Sequence, residues 1–147
     1  MNKAFTREPD SPDSRCPRCG AIGQDVATDT IAAHALPEAI ARLAPSACYC
    51  PTPVCEVVYF DAFERGILVS ELRCPVYPKD PDAPICPCFG ATIDEIEQDL
   101  AEGTVLRVRK MVEQAKSPAA NCHLLAVHGR SCATEVQRYF MQRRNAH

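Results

Sequence analysis

The chain has 147 residues, enough for one ordinary domain or two small ones. Its formal net charge of -3 argues against a strongly basic nucleic-acid-binding surface, and its apolar runs are far too short to cross a membrane. With 46% hydrophobic and 24% charged residues, the composition also excludes wholesale disorder.

Composition divides the chain into four segments. Residues 1–13 are polar and contain two prolines, which predicts a disordered tail. Residues 14–76 contain six cysteines and strand-like runs, which predicts a small zinc-binding knuckle module. Residues 77–84 contain three prolines and are predicted to form a stiff Pro-rich linker. Residues 85–147 contain four cysteines in a helical pattern. We therefore predict an α+β fold in which a small β module precedes a short-helix module.

In the first module the residue pattern predicts short strands and one short helix. A strand is expected over 26–33, and a helix over 37–43, where Pro37 suits the first helical turn. Strands are also expected over 56–60, which is rich in strand-forming residues, and over 66–73, which alternates weakly.

Three helices are expected in the second module. Thr92 and Glu95 form a capping box at the start of the first helix, and Gly103 supplies its C-terminal cap. Thr104 is expected to cap the second helix and Ser131 the third. Helices this short bury a thin core, so we expect a metal centre to hold them together.

Ten cysteines are the main chemical feature of the chain. The first residues contain no apolar segment like that of a signal peptide, so we expect a cytoplasmic location. Thiols stay reduced in that compartment, and metal ligation is therefore favoured over a disulfide framework.

The first cysteine set has the spacing of a zinc site. Residues 16–20 read CPRCG, a knuckle in which two thiolates can bind one ion. Such knuckles occur in pairs, and Cys50 and Cys55 offer a second half. Cys48 is an alternative to Cys50. We favour Cys50, because it pairs with Cys55 across one short loop. The predicted ligands of a structural Zn²⁺ are Cys16, Cys19, Cys50 and Cys55, with buried free thiols as the alternative.

The second cysteine set has the composition of an iron–sulfur site. Cys86 and Cys88 form a C-x-C immediately before a predicted helix, and Cys122 and Cys132 follow. Four thiolates are what a [2Fe–2S] cluster needs, two on each iron. Cys88 and Cys132 lie near predicted helix N-termini, where free N–H groups stabilise thiolates. A second structural zinc remains the alternative, because spacing alone does not exclude it.

Two families resemble this arrangement. The second set resembles bacterioferritin-associated ferredoxin, whose [2Fe–2S] cluster uses a C-x-C near the start of a helix pair and two later cysteines. The later pair is C-x9-C here, whereas that family has C-x2-C. Nearly the whole chain resembles more closely the N-terminal domain of CopZ-type copper chaperones, in which a zinc knuckle module is paired with a [2Fe–2S] module. The matching segments are 16–19, 50–60, 86–88 and 129–132.

The CopZ resemblance implies both cofactors, with Zn²⁺ at the first set and the [2Fe–2S] cluster at the second, carried by Cys86, Cys88, Cys122 and Cys132. Full CopZ chaperones also carry a heavy-metal domain with a Met-x-Cys-x-x-Cys copper site, a motif that these 147 residues do not contain. We therefore do not expect copper delivery by that route. The resemblance implies instead a domain that supplies an electron, for example to reduce Cu(II) to Cu(I).

Two cysteines and the histidines fall outside both sets. Cys48 and Cys74 are either inert core thiols or, if the fold brings them together, a soft-metal site that could bind copper transiently. His123 follows a predicted cluster ligand and is either a surface residue or a group that tunes the cluster. His34, His128 and His147 are expected to have no special role.

The sequence thus favours an electron-transfer or metallochaperone protein over an enzyme. The leading hypothesis is a zinc- and [2Fe–2S]-binding redox protein of metal homeostasis, with copper as the favoured metal. One alternative is a carrier like bacterioferritin-associated ferredoxin that docks on another protein. The other alternative is a zinc-only interaction module. The expected partner is a redox or metal-transfer protein, with no nucleic acid and no membrane insertion.

Overall fold

The computed structural model describes residues 14–146, and the predicted tail 1–13 lies outside the described residues. The chain divides into two compact units between Arg73 and Cys74. The first unit contains a small antiparallel sheet and the second contains helices, which confirms the predicted α+β fold.

The first unit is built on a four-stranded sheet whose strand order follows the chain. Its strands are β1 (Gln24–Val26), β2 (Ala47–Tyr49), β3 (Val57–Asp61) and β4 (Gly66–Leu68), with helices α1 (Thr28–His34) and α2 (Pro37–Ile40) between β1 and β2. All neighbouring strands are antiparallel, and every residue of β3 is buried. The central strand therefore supplies much of the core of this unit.

The strand predicted over 26–33 is wrong, because most of that segment is helix α1. Its apolar residues follow helical spacing, since Ile31 and Ala35 are both buried one turn apart. Asp29 lies in the first turn, where a carboxylate stabilises the helix dipole. The strand predicted over 66–73 ends early, at Leu68. There the carboxylate of Glu71 accepts the Leu68 N–H at 3.0 Å and the chain enters a short 3₁₀ helix.

A buried aspartate closes the turn between β3 and β4. The carboxylate of Asp61 accepts N–H groups from Ala44, Phe63 and Arg65 and also pairs with the Arg65 guanidinium at 2.9 Å. Burial raises the pKa of Asp61, but these donors outweigh it and hold the pKa below its usual range.

The second unit is a set of helices around one apolar core. They are α3 (Ile93–Glu102), α4 (Leu106–Ala115), α5 (Cys122–Leu125) and α6 (Cys132–Ala146). Helix α3 has the predicted capping box at Thr92 and Glu95, and Gly103 ends it in the left-handed conformation at φ 72°. Within residues 14–146, no helix is long and apolar enough to span a membrane.

The start of α4 differs from the prediction. Thr104 does not cap it, and its hydroxyl bonds instead to Asp99 on α3. The fully buried Asp99 carboxylate accepts the Val108 N–H at 2.8 Å and pairs with Arg107 at 2.9 Å. Burial raises the pKa of Asp99, but these donors outweigh it and hold the pKa below its usual range. The cap of α4 therefore comes from the preceding helix.

Residues 77–84, predicted as a linker, form turns of the second unit. The Asp80 N–H bonds the Val76 carbonyl, Ala83 is buried, and Tyr77 packs against the helical core.

We expect Asp99→Asn to destabilise the second unit by about 2 kcal/mol, because charged hydrogen bonds to the start of α4 are lost. Since the pKa of Asp99 is lowered in the folded state, its contribution is complete above the pKa of an unfolded carboxyl. It is lost as the pH falls through the folded pKa. The difference from wild type should be constant down to about pH 5 and shrink below it. Denaturant unfolding followed by helical circular dichroism measures this difference.

Glu102→Gln is the matched control. Glu102 also pairs with Arg107, but its side chain is 53% exposed. We expect an effect within about 0.5 kcal/mol. Equal losses in the two variants would contradict a special role for the buried carboxylate.

Candidate metal centres

The first knuckle is a tight turn that exposes sulfur to backbone N–H groups. The Cys16 N–H bonds the Ala21 carbonyl at 2.8 Å, and the Gly20 N–H bonds the Cys16 carbonyl at 2.9 Å. Gly20 has φ 79°, which a residue without Cβ adopts freely. The Arg18 N–H lies 3.4 Å from Cys16 Sγ. The turn therefore holds the two knuckle thiols and offsets negative charge on one of them.

The facing pair of thiols follows strand β2. The Cys50 N–H bonds the Val58 carbonyl at 2.8 Å, which fixes Cys50 to the central strand β3. The Cys55 N–H bonds the Thr52 carbonyl, which closes the loop between the two cysteines. The sheet thus presents this pair to the knuckle.

The four sulfurs of the first set lie within 4.8 Å of one another. Cys16 and Cys55 Sγ are 3.8 Å apart, and Cys19 and Cys50 Sγ are 3.5 Å apart. Four thiolates around one tetrahedral zinc, at about 2.3 Å from it, would be separated by about 3.8 Å. These distances therefore fit one mononuclear ion.

Cys19 is the exposed member of the first set, and the other three are buried. The Thr52 hydroxyl lies 3.3 Å from its sulfur. The pKa of Cys19 is lowered to about 6: this contact lowers it most, the Ala21 backbone and the neighbouring thiols act in the same direction, and partial desolvation opposes them. The thiolate form that a metal requires is thus favoured at this position.

Cys48 lies outside the four-sulfur group. It is buried in β2, opposite Asp25 and Phe60 on the neighbouring strands, and its sulfur lies 3.6 Å from the Asp25 carboxylate. Burial raises the pKa of this thiol, and the Asp25 charge acts in the same direction. The structure therefore brings Cys50, and not Cys48, to the first set.

The second set begins with a knuckle whose backbone conformation is similar to that of the first. The Cys86 N–H bonds the Ala91 carbonyl at 3.2 Å, and Gly90 has φ 71°. The two turns, CPRCGA and CPCFGA, have the same length and share cysteine, proline, glycine and alanine at four positions. They differ in the second thiol, which comes one residue earlier in the second turn. Aligning the two hexapeptides would have revealed this common turn from the sequence.

The remaining two thiols of the second set lie at helix starts. Cys122 is the first residue of α5 and Cys132 is the first residue of α6. The Cys132 N–H lies 3.5 Å from Cys122 Sγ, and the Asn121 N–H lies 3.4 Å from Cys88 Sγ. Backbone N–H groups are therefore directed at the sulfurs of Cys88 and Cys122.

The sulfur contacts of the second set form a series. Cys88 and Cys122 Sγ are 3.7 Å apart, and Cys122 and Cys132 Sγ are 3.6 Å apart. The pKa of Cys86 is lowered to about 7: the Cys132 thiol lowers it most, the N–H groups of Phe89 and Cys88 act in the same direction, and burial opposes them. The same Cys86 contact, together with burial, raises the pKa of Cys132. All four predicted ligands thus converge.

Other predicted residues lie apart from these sets. Cys74 is exposed at the start of the second unit, and its predicted pairing with Cys48 stays a prediction. His123 is exposed on α5. His128, for which the sequence indicates no special role, is buried. The signal that could have marked it is its place four residues before Cys132, in the segment HGRSC.

We expect Cys50→Ser to lose the zinc ion, because a hydroxyl replaces one of four thiolates around a mononuclear site. The matched control is Cys48→Ser, two residues earlier on strand β2, which should keep about one zinc per chain. Zinc analysis of both variants after dialysis measures this. Zinc retained by Cys50→Ser and lost by Cys48→Ser would contradict the geometry.

Comparisons with known proteins agree with this arrangement. The CopZ zinc-finger family, described as a zinc binding domain, matches residues 13–73. The fold is similar to that of the N-terminal domain of CopZ from Archaeoglobus fulgidus, with a TM-score of 0.71 and 25% identity. The match covers 85% of this chain and 96% of that one. No curated protein sequence matches the chain. The two matches together support a CopZ-type domain in this chain, with a four-cysteine group suited to Zn²⁺.

Proposed function

We propose that the chain is a zinc- and [2Fe–2S]-binding redox protein of metal homeostasis. The observation that carries this proposal is the convergence of four thiols in the second unit, three of them buried, from the knuckle and from the first residues of α5 and α6. The proposed cluster ligands are Cys86, Cys88, Cys122 and Cys132. The proposed zinc ligands are Cys16, Cys19, Cys50 and Cys55.

The donor set of the second unit suits a cluster with iron and sulfide. Four thiolates with two sulfides and two ferric ions carry a net charge of about -2, from the four-cysteine composition of such clusters. Backbone N–H groups that point at Cys86, Cys88 and Cys122 offset part of that charge. Cys132 adds the N-terminus of the long helix α6.

The arrangement of sulfurs differs between the two units. Mutual closeness of all four sulfurs, as in the first unit, suits a single ion. In the second unit the close contacts run in series from Cys88 through Cys122 to Cys132. A series of contacts supports a larger centre with two thiolates on each of two metals.

In this proposal the two units have different roles. Zinc has no redox chemistry, so the first unit is a rigid scaffold that its ion holds together. A bound [2Fe–2S] cluster supplies one-electron chemistry. The residues of the second unit hold it, shield it from solvent on three ligands and leave Cys88 partly exposed. The similarity to a CopZ domain supports a place in metal handling, with reduction of Cu(II) to Cu(I) as the proposed reaction and a metal-transfer protein as the partner.

We expect anaerobically purified protein to be red-brown, with about two iron, two sulfide and one zinc per chain. Cys88→Ser should lose iron and colour but keep zinc, because only the second set is changed. Cys74→Ser, an exposed cysteine of the same unit, is the matched control and should keep all three. Visible spectra with metal and sulfide analysis measure this. Colourless protein with two zinc ions after attempted reconstitution would refute the redox proposal and favour a zinc-only module.

We expect reduced protein to convert about one equivalent of Cu(II) to Cu(I) per chain, because the cluster carries one electron. A Cu(I)-specific chelator counts the product while the visible spectrum follows reoxidation. Cys88→Ser keeps every other cysteine and so measures the reduction due to thiols alone. If copper is not reduced faster than in that variant, copper is not the metal handled. The carrier alternative would then be tested with a ferric acceptor.

A further inference from the structure

A buried histidine lies beside the turn that leads to Cys132. His128 is 8% exposed, and its Nδ1 accepts the Arg130 N–H at 3.0 Å. An Nδ1 that accepts a hydrogen bond carries no proton, so the neutral ring has its proton on Nε2. That Nε2 lies 4.0 Å from Oε1 of Glu135, on the first turn of α6. The ring therefore spans from the turn to the helix that begins with Cys132.

The turn itself is a succession of short-range bonds. The bond from Arg130 back to His128 joins residues i and i+2, the pattern of an Asx turn. Gly129 has φ 72°, and the Ser131 hydroxyl accepts the Ala133 N–H at 3.2 Å. Between Ser131 and Ala133, the N–H of Cys132 points at Cys122 Sγ. A shift in the first bond would therefore be passed along the turn to the Cys132 thiol.

We propose that His128 is a positioning residue for the metal centre of the second unit. Its Nδ1 fixes the turn over 128–131, and the turn fixes the fully buried Cys132 thiol and the N–H donor to Cys122. While Nδ1 accepts the Arg130 N–H it is not available as a ligand atom, so we assign it to the turn. The inference rests on the proposed function only in that the group held by Cys132 is a [2Fe–2S] cluster.

Three substitutions separate the acceptor from the bulk of the ring. His128→Asn keeps an acceptor near the position of Nδ1, as in an Asx turn. His128→Gln keeps a polar amide but extends it toward the position of Nε2. His128→Leu keeps apolar volume and has no acceptor. In full-length protein loaded with zinc and the [2Fe–2S] cluster, we expect His128→Gln and His128→Leu to lose the cluster to an iron chelator about tenfold faster than wild type. His128→Asn should stay close to the wild-type rate.

A second measurement does not depend on the cluster. Full-length protein is treated with N-ethylmaleimide before reconstitution, and modification of Cys132 is followed by mass spectrometry. We expect faster modification of Cys132 in His128→Gln and His128→Leu than in wild type and His128→Asn. If wild type binds no cluster, the proposed function fails while this measurement still tests His128.

Two results would overturn the inference. In one, all three variants match wild type in both measurements, so the ring does nothing for the turn. In the other, His128→Asn is as impaired as His128→Leu, so an acceptor near the position of Nδ1 is not what positions the turn. If His128→Leu does not fold, the comparison of His128→Asn with His128→Gln tests the role of the acceptor position, because both side chains are neutral amides.

Discussion

The negative charge of clustered thiolates is the constraint on which both units depend. Four sulfurs within a few ångströms repel one another unless a metal and nearby donors offset their charge. Each unit contains a knuckle turn whose N–H groups point at sulfur and offset part of this charge. In the second unit Cys122 and Cys132 also begin helices. Both apolar cores are small, so metal binding and folding should be strongly coupled in each unit.

The two knuckles differ by one residue in the spacing of their thiols. Residues 16–21 and 86–91 form turns with the same closing bond and the same left-handed glycine. In the first turn the second thiol is Cys19, and the four sulfurs form a compact group suited to one ion. In the second turn it is Cys88, and the sulfurs are in contact in series. The two turns thus have a similar backbone but place the second thiol one residue apart, and the sulfurs are arranged as a compact group in one unit and as a series in the other.

Buried carboxylates connect elements that lie outside the two cysteine sets. Asp61 joins the turn after β3 to the loop before β2, and Asp99 joins α3 to the start of α4. In each case the pKa is lowered despite burial, because several N–H donors and an arginine favour the charged form. These anchors hold the elements that place the cysteines, in one unit through β3 and in the other through α4, which leads toward Cys122.

Local patterns in the sequence were enough for much of this protein. The CPRCG knuckle and the capping box at Thr92 are set by neighbouring residues, and the strand-like and helical patterns of the two modules predicted the α+β fold. The short loop to Cys55 also favoured Cys50 over Cys48, and the structure places Cys50 in the four-sulfur group. The strand predicted over 26–33 was wrong although the helical spacing of α1 is itself local. Short-range signals failed for the cap of α4, which comes from Asp99 on the preceding helix. The role proposed for His128 likewise needed the tertiary structure, because burial and a bond to a backbone N–H leave no mark on composition or periodicity.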